Sequence, residues 1–198
     1  MMTTTKTGLL FLSLLVLSEA GLASSLRAVV TFEDFGKSPS VSVSRSDVAR
    51  LDAQARTGKD GTRELDLIYE ITETHHYVMI EKKFDAAVDG SKSGGTRLAL
   101  DIREAVTGEI QEGGPGLLKV TLFLTDGSWW SFVDHYVLQR PGPHTLDMPW
   151  EGLAADAYSP VPGTVFDPSA IAGWRVQVSR NRNAPAAGRL VLTGWQFR

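Results

Sequence analysis

Residues 117–138 alternate with a period of two on both sides of a single Asp126-Gly127 dipeptide. A glycine there accepts the positive φ that a tight hairpin turn demands. On the first run Leu118, Val120, Leu122 and Leu124 share one face, and Lys119, Thr121 and Phe123 share the other. On the second, Trp130, Phe132, Asp134, Tyr136 and Leu138 alternate with Trp129, Ser131, Val133, His135 and Val137. The block predicts a β-hairpin with one set of each run turned into a sandwich interior.

Most of the chain repeats this habit. Val41 to Ser44 alternates, Glu64 to Glu70 sets Leu65, Leu67 and Tyr69 against Glu64, Asp66 and Ile68, and Tyr77 to Ile80 and Leu98 to Ile102 are short β-type runs. Thr145 to Met148, Trp174 to Val178 and Leu190 to Phe197 continue the series, while Leu26 to Phe32 is stopped by the acidic turn Glu33-Asp34-Phe35-Gly36. Asp47 to Arg56 holds three alanines and reads as a helix ahead of the loop Gly58-Lys59-Asp60-Gly61. About nine or ten short strands between Gly, Pro and Asp turns predict an all-β sandwich of two antiparallel sheets. The longest connection, Gly152 to Asp167, is the expected ligand-proximal excursion.

The first residues have a different character. Lys6 precedes the apolar run Gly8 to Leu17 and the small residues Ala20-Gly21-Leu22-Ala23, the order of an export signal. That run is far shorter than the ~20 residues that cross a bilayer as a helix. The expected organisation is therefore a signal over 1–23 and one domain over 24–198, secreted or periplasmic, with no membrane span. Against 23 Asp+Glu stand only 20 Lys+Arg, so the basic stripe that nucleic acid requires is missing. The absence of cysteine excludes disulfides, zinc-thiolate sites, thiol nucleophiles and a cysteine lipid anchor, leaving the core to hold the fold.

Signatures of catalysis are absent. There is no Gly-x-Ser-x-Gly elbow, no His-Glu-x-x-His and no phosphate loop. Asp134, Asp147, Glu151, Asp156 and Asp167 are numerous enough to offer a glycosidase-like pair by chance. His75-His76 point to opposite sides of a strand, and His135 and His144 lack partners at ligand spacing, so no transition-metal site is expected. The chain reads as a non-enzyme.

The succession Phe32-Glu33-Asp34, Leu67-Ile68-Tyr69, Tyr77-Val78-Met79-Ile80-Glu81-Lys82 and Leu98-Ala99-Leu100-Asp101-Ile102 resembles the first half of the galactose-binding-like jelly rolls. Within that group it is similar to family-11-type carbohydrate-binding modules and CIA30-like domains. His144-Thr145-Leu146-Asp147-Met148-Pro149-Trp150 resembles their "W-x-x-x-x-I-P-F" strand, and Asp167-Pro168 with Ile171 and the ending Gly188-Arg189-Leu190-Val191-Leu192 extend the likeness. Two departures stand out: Pro143-His144 where such domains often show Trp, and Thr193-Gly194-Trp195 where an Asp-Asp or Asp-Asn pair is frequent. The resemblance implies a jelly roll that binds a polysaccharide or oligosaccharide on a sheet face. It also implies a structural calcium at Glu33 and Asp34.

Sugars present one apolar face and a rim of hydroxyls, so a site needs flat aromatic rings with a few fixed polar groups. The candidates are Trp129, Trp130, Tyr136 and Tyr77, with Asp134, Arg103, His135, Arg175 and Gln177 as polar partners. Adjacent Trp129 and Trp130 face opposite ways, so at least one belongs to the core, as do Trp150, Trp174 and Trp195 by their strand contexts. The alternative partner is a protein on the cell envelope; a monomer is expected.

Overall fold

The computed structural model describes residues 31–33, 35, 41–73, 75–105, 116–163, 165–180 and 186–198. The expected export signal, the start of the Leu26 to Phe32 run, and Asp34 lie outside these residues. Twelve strands follow one another: β1 (Thr31–Glu33), β2 (Ser42–Arg45), β3 (Ala49–Thr57), β4 (Arg63–Ile71), β5 (Tyr77–Val88), β6 (Gly95–Glu104), β7 (Gly116–Leu124), β8 (Trp129–Asp134), β9 (Gly142–Pro149), β10 (Ala154–Ala155), β11 (Ile171–Arg180) and β12 (Ala186–Phe197). Among the described residues, no helix is long and apolar enough to cross a membrane.

The strands form two antiparallel sheets. Sheet A runs β3-β4-β12-β6-β9, with β1 beside β12 where β4 ends; sheet B runs β10-β8-β7-β11-β5-β2. This is a jelly-roll β-sandwich, as the period-two runs demand. Its interior takes Leu65, Leu67, Tyr69, Leu98, Leu100, Ile102, Leu190, Leu192 and Trp195 from sheet A. From sheet B come Val78, Ile80, Leu118, Val120, Leu122, Trp130, Trp174, Val176 and Val178. Trp174 and Trp195 meet across the middle with ring centroids 5.5 Å apart. Trp150 is only half-buried, packing on Phe166 and Phe197.

The hairpin expected at Asp126-Gly127 forms, pairing Leu122 with Trp130 and Phe123 with Trp129. Gly127 adopts φ 87°, and Asp126 Oδ1 accepts the Ser128 N–H at 2.8 Å. The helix expected over Asp47 to Arg56 is corrected to strand: Ala49–Thr57 pairs with β4 residue for residue. Its alanines and long side chains favour a helix locally, but the same stretch also alternates Arg50, Asp52, Gln54 and Arg56 with Leu51, Ala53 and Ala55. Pairing Leu51 with Tyr69 and Ala53 with Leu67 decides in favour of the sheet.

Candidate functional site

Because directly paired residues of antiparallel strands share a face, the registers of β5, β11, β7 and β8 fix the outer surface of sheet B. One row across the strands reads Glu81, Arg175, Thr121, Ser131; the next reads Lys83, Gly173, Phe123, Trp129; the row on the other side reads Met79, Gln177, Lys119, Val133. Several of these outward residues are nonetheless covered, Thr121 at 0% and Phe123 at 6% exposure. The segment 154–159 lies against them: Asp156 N–H donates to the Trp129 carbonyl, and Ser159 Oγ accepts the Trp129 N–H.

Arg175 organises one half of the face. Its guanidinium lies 4.6 Å from the Trp129 ring centroid and 5.1 Å from that of Phe123, within cation–π range of both. Nη2 and Nε both donate to Glu81 Oε2, at 2.8 and 3.1 Å. The Phe123 and Trp129 rings are tilted against each other at 5.4 Å. Trp129 is therefore held in one orientation while remaining half-exposed.

Asp156 organises the other half. Its Oδ2 takes Lys119 Nζ at 2.5 Å and the Ser131 hydroxyl at 2.5 Å, and its Oδ1 takes the Tyr158 N–H at 2.9 Å. Since the one Ser131 proton goes to the carboxylate, Thr121 must be the donor in the 2.9 Å Thr121–Ser131 contact. Burial pushes the Asp156 carboxyl up, but the bonds from Lys119, Ser131 and Tyr158 together with the Lys119 charge outweigh it and hold the group below the usual carboxylate range. Above this network stands Tyr158, 80% exposed, with Lys119 Nζ 5.4 Å from its ring centroid.

The sequence candidates are divided. Trp129, Arg175, Gln177 and Tyr77 share the outer face of sheet B, Tyr77 at its far end opposite Ser179. Trp130 turns inward: it is 8% exposed, packs on Phe166 and donates from Nε1 to Ser128 Oγ, so its ring is sandwich interior rather than open surface. Tyr136 lies beyond the end of β8, against His135 and Arg140. Asp134 is committed to that turn, its Oδ1 accepting the Tyr136 and Val137 N–H groups at 2.7 Å each. Arg103 belongs to sheet A, paired with Asp101 at 2.9 Å, on the opposite side of the sandwich. Asp156 and Tyr158 come from the Gly152 to Asp167 connection expected near a ligand but were not singled out within it, and Glu81 was missed because only the cross-strand register brings it to the face.

The acidic turn is a separate place. Glu33, 6% exposed, accepts Lys82 Nζ on Oε1 at 2.8 Å and Trp174 Nε1 on Oε2 at 2.9 Å. Calcium takes about six to eight oxygens. Here both Glu33 oxygens are occupied by donors, and Thr193-Gly194-Trp195 opposite supply no carboxylate; Asp34, the other expected ligand, lies outside the described residues. Among the described residues, no group of three or more His, Asp or Glu is placed to hold a metal.

No family profile and no curated protein sequence matches the chain. Solved structures do. The family 11 carbohydrate-binding module of the cellulosomal cellulase Lic26A-Cel5E of Clostridium thermocellum superposes with TM-score 0.60 at 13% identity, covering 85% of this chain and 94% of that one. A family 11 module from Clostridium thermocellum in complex with a β-1,3-1,4-mixed-linked tetrasaccharide gives TM-score 0.61 at 14% identity over the same shares. At such identities the likeness shows the fold: this chain has the jelly-roll architecture of the family 11 carbohydrate-binding modules.

Proposed function

We propose that the chain is a non-catalytic, exported module that binds a polysaccharide across the outer face of sheet B, with Trp129 and Tyr158 as the apolar contacts. The observation that carries this reading is the pairing of two accessible aromatic rings with polar groups locked by their neighbours. Arg175 is fixed by Phe123, Trp129 and Glu81, and Lys119 by Asp156. Rings give the C–H face of a sugar a flat partner, and pre-fixed donors lose little entropy on binding. The two carboxylates on the face, Glu81 and Asp156, are each tied to a cation, which supports binding rather than glycoside hydrolysis. The fold shared with carbohydrate-binding modules adds support.

The test is titration of the purified protein with a panel of soluble β-glucans, xylans, mannans and galactans. A specific glycan is expected to bind, and Trp129→Ala and Tyr158→Ala each to weaken it by about tenfold or more, in line with the loss of one stacked ring. Binding that survives both changes rules out this face, and silence across the panel from folded protein ends the sugar reading. A second reading, docking onto an envelope protein, draws on the exposed apolar side chains Tyr158, Val161 and Val165 of the same loop. Free sugar would fail to displace such a partner.

A further inference from the structure

We infer that the seam in sheet A where β4 gives way to β1 is a second pocket, built to take a negatively charged oxygen group, with the carboxylate of a uronic-acid residue as its ligand. Along one edge of β12, Leu192 faces Leu65 of β4 and Trp195 faces Glu33 of β1, so among the described strands none pairs with Thr193 and Gly194 on this side. On the other edge the register with β6 slips at the same point. A cavity of about 320 Å³ opens there, lined by residues that include Arg63, Arg97, Thr62, Thr145, Thr193 and Gln196.

The charges in this lining are one-sided. Among the described residues its only carboxylate is Glu33, whose oxygens are both engaged by Lys82 and Trp174. Against it stand two guanidinium groups. Arg63 has no ion-pair partner among the described residues, and Arg97 shares Asp147 with Arg198 at 3.4 and 3.5 Å in an exposed contact of the kind that holds little. Trp195 also lines the cavity; it is 1% exposed, and its indole N–H has no acceptor among the described residues, a costly omission for a buried donor. Among the described residues, the place where the family resemblance puts a cation thus offers two guanidinium groups and no free carboxylate, the polarity an anion requires. A sugar ring fills more of this space than a bare oxyanion, and its hydroxyls can both donate to and accept from the threonine hydroxyls and Gln196. The volume lies at the small end of ligand pockets, which run from about 300 to 1,000 Å³.

The proposal does not depend on sheet B, and its test keeps the two apart. The purified protein is titrated with D-galacturonate, with D-galactose as the uncharged match and with sodium sulfate. Saturable binding of galacturonate but not galactose is expected, weakened about tenfold by Arg63→Gln or Arg97→Gln and unchanged by Trp129→Ala. Both arginines are exposed, so these variants should keep the wild-type melting curve, which is checked alongside. Equal behaviour of galacturonate and galactose, or wild-type affinity in both arginine variants, overturns the inference. Binding of sulfate without galacturonate overturns the assignment to a sugar carboxylate.

Discussion

Lys82 places a cation against the Glu33 carboxylate. Its ammonium and the Trp174 indole satisfy a carboxylate that is almost wholly buried. Lys82→Met removes the charge partner and should destabilise the fold by about 3 kcal/mol, measured by chemical denaturation. A ligand that binds only the folded state must raise the melting temperature. Wild-type protein is therefore expected to melt at the same temperature in calcium and in a chelator; a rise with calcium would show that the ion binds despite Lys82. Asp156 makes a pH-dependent contribution. Its folded pKa is lowered, so the stabilisation is whole above the ordinary carboxylate value of about 4 and is lost as pH falls through the lowered value. The melting-temperature gap between wild type and Asp156→Asn should narrow as pH drops from about 7 to about 3. Of the residues on the face, Trp129, Arg175 and Gln177 were legible as an aromatic ring with polar companions. Glu81, 94 positions from Arg175, was not, because no local pattern encodes the β5–β11 register.

Among the elements, β11 shows what a close approach demands. It carries a bulge between Ile171 and Gly173 against both of its neighbours. A Cβ on Gly173 would sit 2.3 Å from the Lys82 carbonyl oxygen and 3.2 Å from the Phe123 ring. Gly173→Ala should cost about 3 kcal/mol and, by displacing Phe123, disturb the Arg175 stack; the checks are a denaturation curve and a glycan titration on one sample. Strands with clean alternation and a turn dipeptide, such as β7 and β8, were readable from sequence. β3 was not, since its alternation is written in alanine and long charged side chains that suit a helix equally well, and only β4 distinguishes the two. The edge location of β10, two residues long, was equally hidden.

At the scale of the molecule the two sheets are joined through a pair of indoles with different obligations. Trp174 donates to Glu33, while Trp195 donates to no group among the described residues. Trp174→Phe should therefore cost about 3 kcal/mol, from lost volume and an under-satisfied buried carboxylate, and Trp195→Phe about 1–2 kcal/mol, from volume alone. Equal losses in matched denaturation curves would mean that the Glu33 bond contributes nothing net.

The position of β12 sets an order in time. β12, the last of the described strands in chain order, is not an edge strand but the centre of sheet A, with β4 and β1 on one side and β6 on the other. Until residue 197 has left the ribosome, β4 and β6 have no common partner, and their inward faces of Leu, Ile and Tyr have no finished core to enter. Sheet A therefore closes only after translation of the domain ends, and in that interval the nascent chain offers two open strand edges to any chaperone, or to any neighbouring copy, that reaches them first.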